Sequence, residues 1–444
     1  MNYRIKIAAT GDSILTRPIS LFKEEEFLSI LKVIRDADVG FTNFEVLTAD
    51  YRDGYPGAEY GGSYLITDPS MAKEFKWAGF NMVARANNHS VDWGYEGMFG
   101  SSRALDEAGI VHAGVGRDLG EARSPAYLDT ENGRVALISS NSSVFKSSVA
   151  GQARYDVQGR PGVNPLRCRT EIRVTRDSLE TIKSIFEGVG ASMAIGPISE
   201  NEAVIGVEVY RGSVDGVRFV GSDKQEYYTE PYEPDLKGNV RSIKEAGRQA
   251  DVVLVSHHGH QDDGSDRHKP AKFIETYARA CIDAGADAFL SHGAHVLRGI
   301  EIYKGKPIIY SMGNFIFQIG SVKTLGQDVY DRYGLDTQAT PADLFDAQAT
   351  RSSLSWKGWK THDNEPAEWD TFVAEMSYED GALTDLVLHP STNGYGHPRS
   401  SHRRGRPVRA SPEDADRIID FVAEYSAVYG TKIRNENGLG VVEL

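Results

Sequence analysis

The sequence predicts an α/β fold with a layered sheet. Short apolar or alternating runs, about 4–8 residues each, recur along the chain and alternate with amphipathic helical segments. The runs also end, one after another, in Asp, Glu, Asn or His. In layered α/β proteins functional groups gather where several strands end.

The first run, YRIKIAAT (3–10), leads into Gly11-Asp12-Ser13. EEEFLSILKVIRDA (24–37) places Phe27, Ile30, Leu31 and Ile34 on one helical face. VGFTNFEV (39–46) carries Asn43 and Glu45. PSMAKEFKWAG (69–79) reads as a helix, and NMVARANNH (81–89) as a strand ending in Asn88 and His89, with Asp92 close behind. Taken alone, that last cluster reads more readily as an Asx-type turn than as a site. GSSRALDEAG (100–109), RDSLETIKSIFEGV (176–189) and AKFIETYARACIDAG (271–285) are helical, and RVALISSNSS (134–143) is a strand. ADVVLVSHHGHQDD (250–263) stops at His257, His258 and His260, and ADAFLSHGAH (286–295) at His292 and His295. IEIYKGKPIIYSMGNFIF (300–317) reads as a hairpin turning at Lys304-Gly305-Lys306, with Asn314 near its end. Residues 320–370 look irregular and carry Trp356, Trp359 and Trp369, as expected of an insertion or lid. A second hairpin (370–390) turns at Asp380-Gly381. Ser411 then caps a helix with Pro412 at its first position and Asp414 at its third. This divides the chain into a core (1–319), an insertion (320–370), and a C-terminal hairpin and helix (371–444) completing the same domain.

Composition excludes several classes. The 444 residues are 40% hydrophobic and 25% charged, an ordinary globular balance. With 49 Lys plus Arg against 63 Asp plus Glu, the formal charge is −14, which disfavours nucleic acid as a partner. The local SHRRGRPVR (401–409) is basic and reads as a solvated loop. Two cysteines, Cys168 and Cys281, rule out a disulfide framework and a Cys-rich zinc site. The start MNYRIKIAATGDS has no basic segment followed by an apolar run. No stretch approaches the roughly 18 apolar residues of a membrane span. A cytoplasmic protein with no membrane association is therefore expected.

Five of the twelve histidines cluster at two strand ends, which favours a site over structural histidines. The blocks GD, TNFE, ANNHSVDWG, SHHG and GAHVLRGIEIYKGKPIIYSMGNFIF resemble, in order, those of the CapA-like proteins of poly-γ-glutamate capsule synthesis. That family is a branch of the calcineurin-like metallophosphoesterase fold. The resemblance covers residues 4–317 and implies a layered β-sandwich flanked by helices, with a metal centre at the strand ends.

The departures from the family pattern matter. A calcineurin-like phosphoesterase opens with Asp-x-His, and here the third position is Ile14. Its bridging Asp is matched by Glu45, and its Gly-His-x-His block by HGAH, with Gly293 at the first His position. His292 is displaced by one residue and on a strand would face the other way. Ligands are thus missing for both ions of a dinuclear site, and the resemblance implies a single ion held by Glu45, Asn88 and His258 with waters filling the rest of its shell. A carboxylate, an amide oxygen and an imidazole suit Ca²⁺ or Mn²⁺ better than Zn²⁺. In the family pattern His89 handles protons, and Asp92 is the nearest residue to orient it. Asp12 and His295, lacking a full second shell, are expected to pair with each other.

Two imidazole/carboxylate pairs beside a hydrated cation suit epimerisation of a peptide Cα, one imidazole removing a proton and the other returning one. Soluble CapA relatives resemble the peptide epimerases found with ribosomally made peptides such as lasso peptides. The alternatives are glutamyl-amide synthesis or hydrolysis, in line with the family name, and phosphoester hydrolysis, which would need two ions. The absence of a Gly-x-x-x-x-Gly-Lys-Ser/Thr loop counts against ATP-driven ligation.

Overall fold

The computed structural model describes residues 4–188, 202–205, 213–351 and 365–444. Two sheets face one another. The larger has the order Ile433–Glu436, Leu439–Val442, Ala382–Thr392, Asp370–Glu379, Arg4–Ile14, Val39–Phe44, Met82–Ala84, Val111–Ala113, with Asn314–Phe317 also beside Arg4–Ile14 and Val408–Arg409 beside Ala382–Thr392. The smaller runs Ile300–Tyr303, Lys306–Ile309, Ala288–His292, Val252–His258, Gly133–Asn141, Ala126–Thr130. Arg4–Ile14, Val39–Phe44, Met82–Ala84 and Val111–Ala113 are mutually parallel, as are Gly133–Asn141, Val252–His258, Ala288–His292 and Lys306–Ile309.

The two-residue period of a strand explains the layering. Ile5, Ile7, Val39, Phe41 and Met82 face Val135, Leu137, Val252, Leu254 and Leu290 between the sheets. The alternate residues Ala8 and Val83 pack outward on helices Glu25–Arg35, Met71–Ala78 and Gly94–Glu107, through Phe27, Ile34, Phe75 and Leu105. Ala136, Ile138, Val253 and Val255 pack on helices Glu233–Ala246 and Lys272–Asp283, through Ile243, Phe273, Tyr277 and Cys281. The result is an order of helices, sheet, sheet, helices, the layered sandwich that the sequence leads one to expect. Both cysteines are buried and unbridged, and burial pushes both thiols up.

Four features differ from the sequence reading. Helix Glu233–Ala246 was not anticipated, because its buried face includes Asp235 and Asn239 as well as Ile243 and so lacks an apolar stripe. Asp235 is held by Arg167, and Asn239 accepts from Asn164 Nδ2 at 2.7 Å. A four-stranded sheet, Glu202–Ile205, Ser213–Gly221, Cys168–Val174, Glu226–Pro231, also escaped notice. The 300–317 hairpin stops at Ile309, and Asn314–Phe317 crosses to the larger sheet, parallel to Arg4–Ile14. Residues 320–370 are not simply irregular: helices Gln327–Arg332 and Pro341–Arg351 lie there. Val329, Tyr330 and Leu344 pack on Leu47, Tyr64, Ile66 and Trp93, a loop surface that sets no long helical stripe. Trp369 is buried, while Trp356 and Trp359 fall outside the described residues.

The C-terminal hairpin extends the larger sheet beside Arg4–Ile14. Asp380 and Gly381 both have positive φ, as a two-residue hairpin turn requires. Ser411 accepts from the Asp414 amide and caps helix Pro412–Ala427. Among the described residues no helix is long and apolar enough to cross a membrane.

Candidate metal and acid/base centre

Polar residues take over the inward-facing positions at the carboxyl ends of the strands. Val39 and Phe41 are followed by Asn43, Leu254 by Ser256 and His258, and Leu290 by His292. Arg4–Ile14 joins them through a bulge: its register with Val39–Phe44 shifts between Ala9 and Asp12. The cluster is held by backbone and amide donors. Asp12 accepts from Asn43 Nδ2 (2.7 Å) and from the Gly293 amide (2.9 Å). Asn87 Nδ2 donates to the Phe44 carbonyl at 2.8 Å, tying the turn that carries Asn88 and His89 to the turn that carries Glu45.

Glu45, Asn88 and His258 share one property. Both Glu45 carboxylate oxygens, Asn88 Oδ1 and His258 Nε2 are buried without a hydrogen-bond partner. Such atoms are costly unless something compensates them. Burial, with Asp12 and then Asp92 nearby, pushes the Glu45 carboxyl well above the usual range. Among the described residues only histidines form ion-pair contacts with Asp12, Glu45 and Asp92. A buried cluster of carboxyl groups with orphaned oxygen acceptors fits a divalent cation. Two groups have ligand atoms within 4.8 Å of one another: Glu45, His258, His260 and Asp12, Glu45, His295. His258 Nε2 lies 3.6 Å from Glu45 Oε1, and Asn43 Nδ2 lies 3.1 Å from Nδ1. Coordination through Nε2 would move the ring proton to Nδ1 and give up that amide contact, a loss of about 1 kcal/mol. Gly293, at φ 88°, leaves room for this nitrogen, since a Cβ there would stand 2.8 Å from His258 Nε2.

The imidazoles are held in different ways. His89 Nδ1 lies 2.6 Å from Asp92 Oδ2, and that oxygen also accepts from the Leu65 amide at 2.8 Å. His295 adopts a left-handed backbone, φ 56°. The pairing expected between His295 and Asp12 is not a hydrogen bond: their nearest atoms are 3.6 Å apart. Instead Asn314 Oδ1 lies 2.8 Å from His295 Nδ1, while Asn43 and the Gly293 amide hold the Asp12 carboxylate in place. His292 also differs from expectation. It faces the sandwich interior, 3.8 Å from Asp12 Oδ1 and against Phe41, because it shares the parity of Leu290. Burial holds its ring down to about 4. His257 points to the outer layer, between Ser140 and Ser142. His260 meets His258 and His295 at ring distances of 5.1 and 5.3 Å, and Ser143 Oγ contacts its Nδ1 at 2.7 Å. Ile14 is buried in the apolar outer layer with Phe44 and Phe317. The bracing residues Asn43, Asn87, Asn314 and Ser143 had no assigned role in the sequence reading. Asn43 and Asn314 already stood among the polar strand ends, and the inward parity of Asn43 was the signal for its bracing role.

Protein y4sH of Sinorhizobium fredii is 36% identical over 99% of this chain and 93% of its own length. The PGA biosynthesis protein CapA of Bacillus subtilis is 23% identical over 85% of this chain and 81% of its own. The capsule biosynthesis protein CapA of Bacillus anthracis is 23% identical over 73% and 62%. The profile described as "Bacterial capsule synthesis protein PGA_cap" matches residues 6–319, the span that supplies the smaller sheet, the parallel strands of the larger one and every residue of the polar cluster. The chain belongs to that family.

Proposed function

We propose that this protein is a one-metal acid/base enzyme that inverts a Cα centre of a peptide substrate. The observation that carries the reading is the combination of orphaned ligand atoms on Glu45, Asn88 and His258 with two imidazoles fixed at Nδ1 by separate oxygen acceptors. Asp92 holds the His89 proton on Nδ1, sets the ring's orientation and stabilises the imidazolium that forms when Nε2 takes a proton. Asn314 does the orienting for His295 through a neutral amide oxygen. One imidazole removes the Cα proton, and the electron pair delocalises onto the adjacent carbonyl. The other imidazole returns a proton to the opposite face, so nothing is oxidised or reduced. Glu45, Asn88 and His258 would hold a divalent cation, Ca²⁺ or Mn²⁺ before Zn²⁺, whose charge favours the carbonyl electron density. Asp12 braces the floor of the site.

The test is incubation with peptides in D₂O. Solvent deuterium at a Cα, lost in His89→Asn and in His295→Asn, is expected. Turnover of phosphate esters without exchange would overturn the reading and point to a second ion at Asp12, Glu45 and His295. A second reading, glutamyl-amide chemistry, draws on the names of the CapA relatives. It predicts a change in the length of γ-glutamyl oligomers, with no deuterium incorporated.

A further inference from the structure

His89 is only 5% exposed, so no substrate reaches it in this arrangement. What covers it is the glycine-rich segment DYRDGYPGAEYGGSYLI (50–66). Gly61 lies directly on the site: a Cβ built there would stand 2.4 Å from Asn88 Nδ2 and 2.5 Å from His89 Cε1. No side chain fits between this backbone and the imidazole. The end of the segment is anchored in an apolar cluster through Tyr64 and Ile66, while residues 57–61 are tied to the His89 turn by polar contacts. The Gly57 amide donates to the Asp92 carbonyl at 2.9 Å, and the Leu65 amide to Asp92 Oδ2 at 2.8 Å. Asn88 Nδ2 reaches the Gly61 carbonyl at 3.4 Å, and Trp93 Nε1 donates to the Tyr51 carbonyl at 2.7 Å.

A third element holds the segment down. The Tyr64 hydroxyl lies 2.8 Å from the Gly57 carbonyl and 3.1 Å from Asp328 Oδ2, on helix Gln327–Arg332. Burial and then Asp328 push this phenol upward, so its single proton stays on and is shared between two acceptors. Helix Gln327–Arg332 thus touches the covering segment through Tyr64.

We propose that residues 57–63 form a gate over His89, latched shut by Tyr64 and Asp328, and that substrate reaches the imidazole only when the gate lifts. The proposal rests on the acid/base role assigned above to His89, but its test does not use substrate. Diethylpyrocarbonate modifies accessible neutral imidazoles, and mass spectrometry of proteolytic fragments locates the label. In the wild-type chain His89 should react far more slowly than His402, whose side chain is 53% exposed. Tyr64→Phe removes only the hydroxyl and should speed labelling of His89 by about tenfold. His257, fully buried, should remain unlabelled, which separates gate opening from unfolding. If Tyr64→Phe also exposes His257, Asp328→Ala leaves the buried ring in place and carries the same comparison. Labelling of wild-type His89 as fast as His402, or an unchanged rate in the variant that keeps His257 protected, overturns the gate. Faster labelling with no deuterium exchange into any peptide would leave the gate standing and count against the epimerase reading.

Discussion

Glu45→Gln should change stability in opposite directions with and without metal. The substitution keeps the side chain's volume and removes its charge. Glu45 is fully buried, neither oxygen has a hydrogen-bond partner, and burial, Asp12 and Asp92 all raise its pKa. In metal-free protein the folded state therefore binds this proton more tightly than the unfolded chain does. The associated stability is fully present below the unfolded value of about 4.3 and is lost as pH rises toward the folded value. Each unit separating the two values costs about 1.4 kcal/mol. Glutamine has no such proton, so in chelator the variant should melt higher than wild type at mildly alkaline pH and show a flatter profile from about pH 5 upward. A saturating divalent ion reverses the order. Wild type gains about 4 kcal/mol when the ion stands a thousandfold above its Kd, and the variant forfeits most of that gain. Scanning calorimetry of both proteins, in chelator and in Ca²⁺ or Mn²⁺, reads the crossing. An equal metal-induced rise in Tm for the two proteins, or a variant less stable than wild type in alkaline chelator, would refute the assignment of Glu45 to the ion.

Metal uptake by wild type should release a proton, because Glu45 must ionise to coordinate, and calorimetry in buffers of different ionisation enthalpy measures it. Asp92→Asn should keep the metal, by elemental analysis, and cut Cα exchange by up to about 10⁴-fold, because His89 loses the acceptor 2.6 Å from Nδ1. Asn314→Ala should slow exchange by roughly ten- to a hundredfold, again with the metal retained, since it removes the 2.8 Å partner of His295. Gly293→Ala places a methyl 2.8 Å from His258 Nε2 at a left-handed position. It should lower both metal content and stability, the latter by about 1–3 kcal/mol in thermal melts.

The layered fold was legible wherever the two-residue or 3.6-residue period carried it. Val252, Leu254 and Ala288, Leu290 announce inward faces, and Phe27, Ile30, Leu31 and Ile34 announce a packed helix. Legibility failed where burial is polar. Helix Glu233–Ala246 buries Asp235 and Asn239 against partners far away in sequence, and no local pattern reveals that Arg167 and Asn164 wait for them. The crossing of Asn314–Phe317 into the other sheet is hidden for a related reason. Its hydrogen bonds go to Arg4–Ile14, some three hundred positions earlier, and a continuous apolar run looks the same in either sheet.

The site divides along the same line. Which residues converge was readable, because each stands at the end of a recognisable strand. How they pair was not, because pairing depends on distances that no local pattern sets. Asp12 appears to the sequence as the natural partner of His295, yet Asn43 and the Gly293 amide hold its carboxylate where the nearest oxygen stops 3.6 Å from His295 Nδ1. His295 is left to the amide oxygen of Asn314, a neutral acceptor that fixes the ring's orientation without adding a fourth carboxylate to Asp12, Glu45 and Asp92. Strand parity misleads in the same manner at His292. Counting from the family motif turns it outward, whereas counting along Ala288 and Leu290 turns it inward, toward Asp12. The count along the strand prevails because reversing it would expose a leucine and an alanine from the centre of the sandwich, and a one-residue slip moves every side chain of a strand to the opposite face.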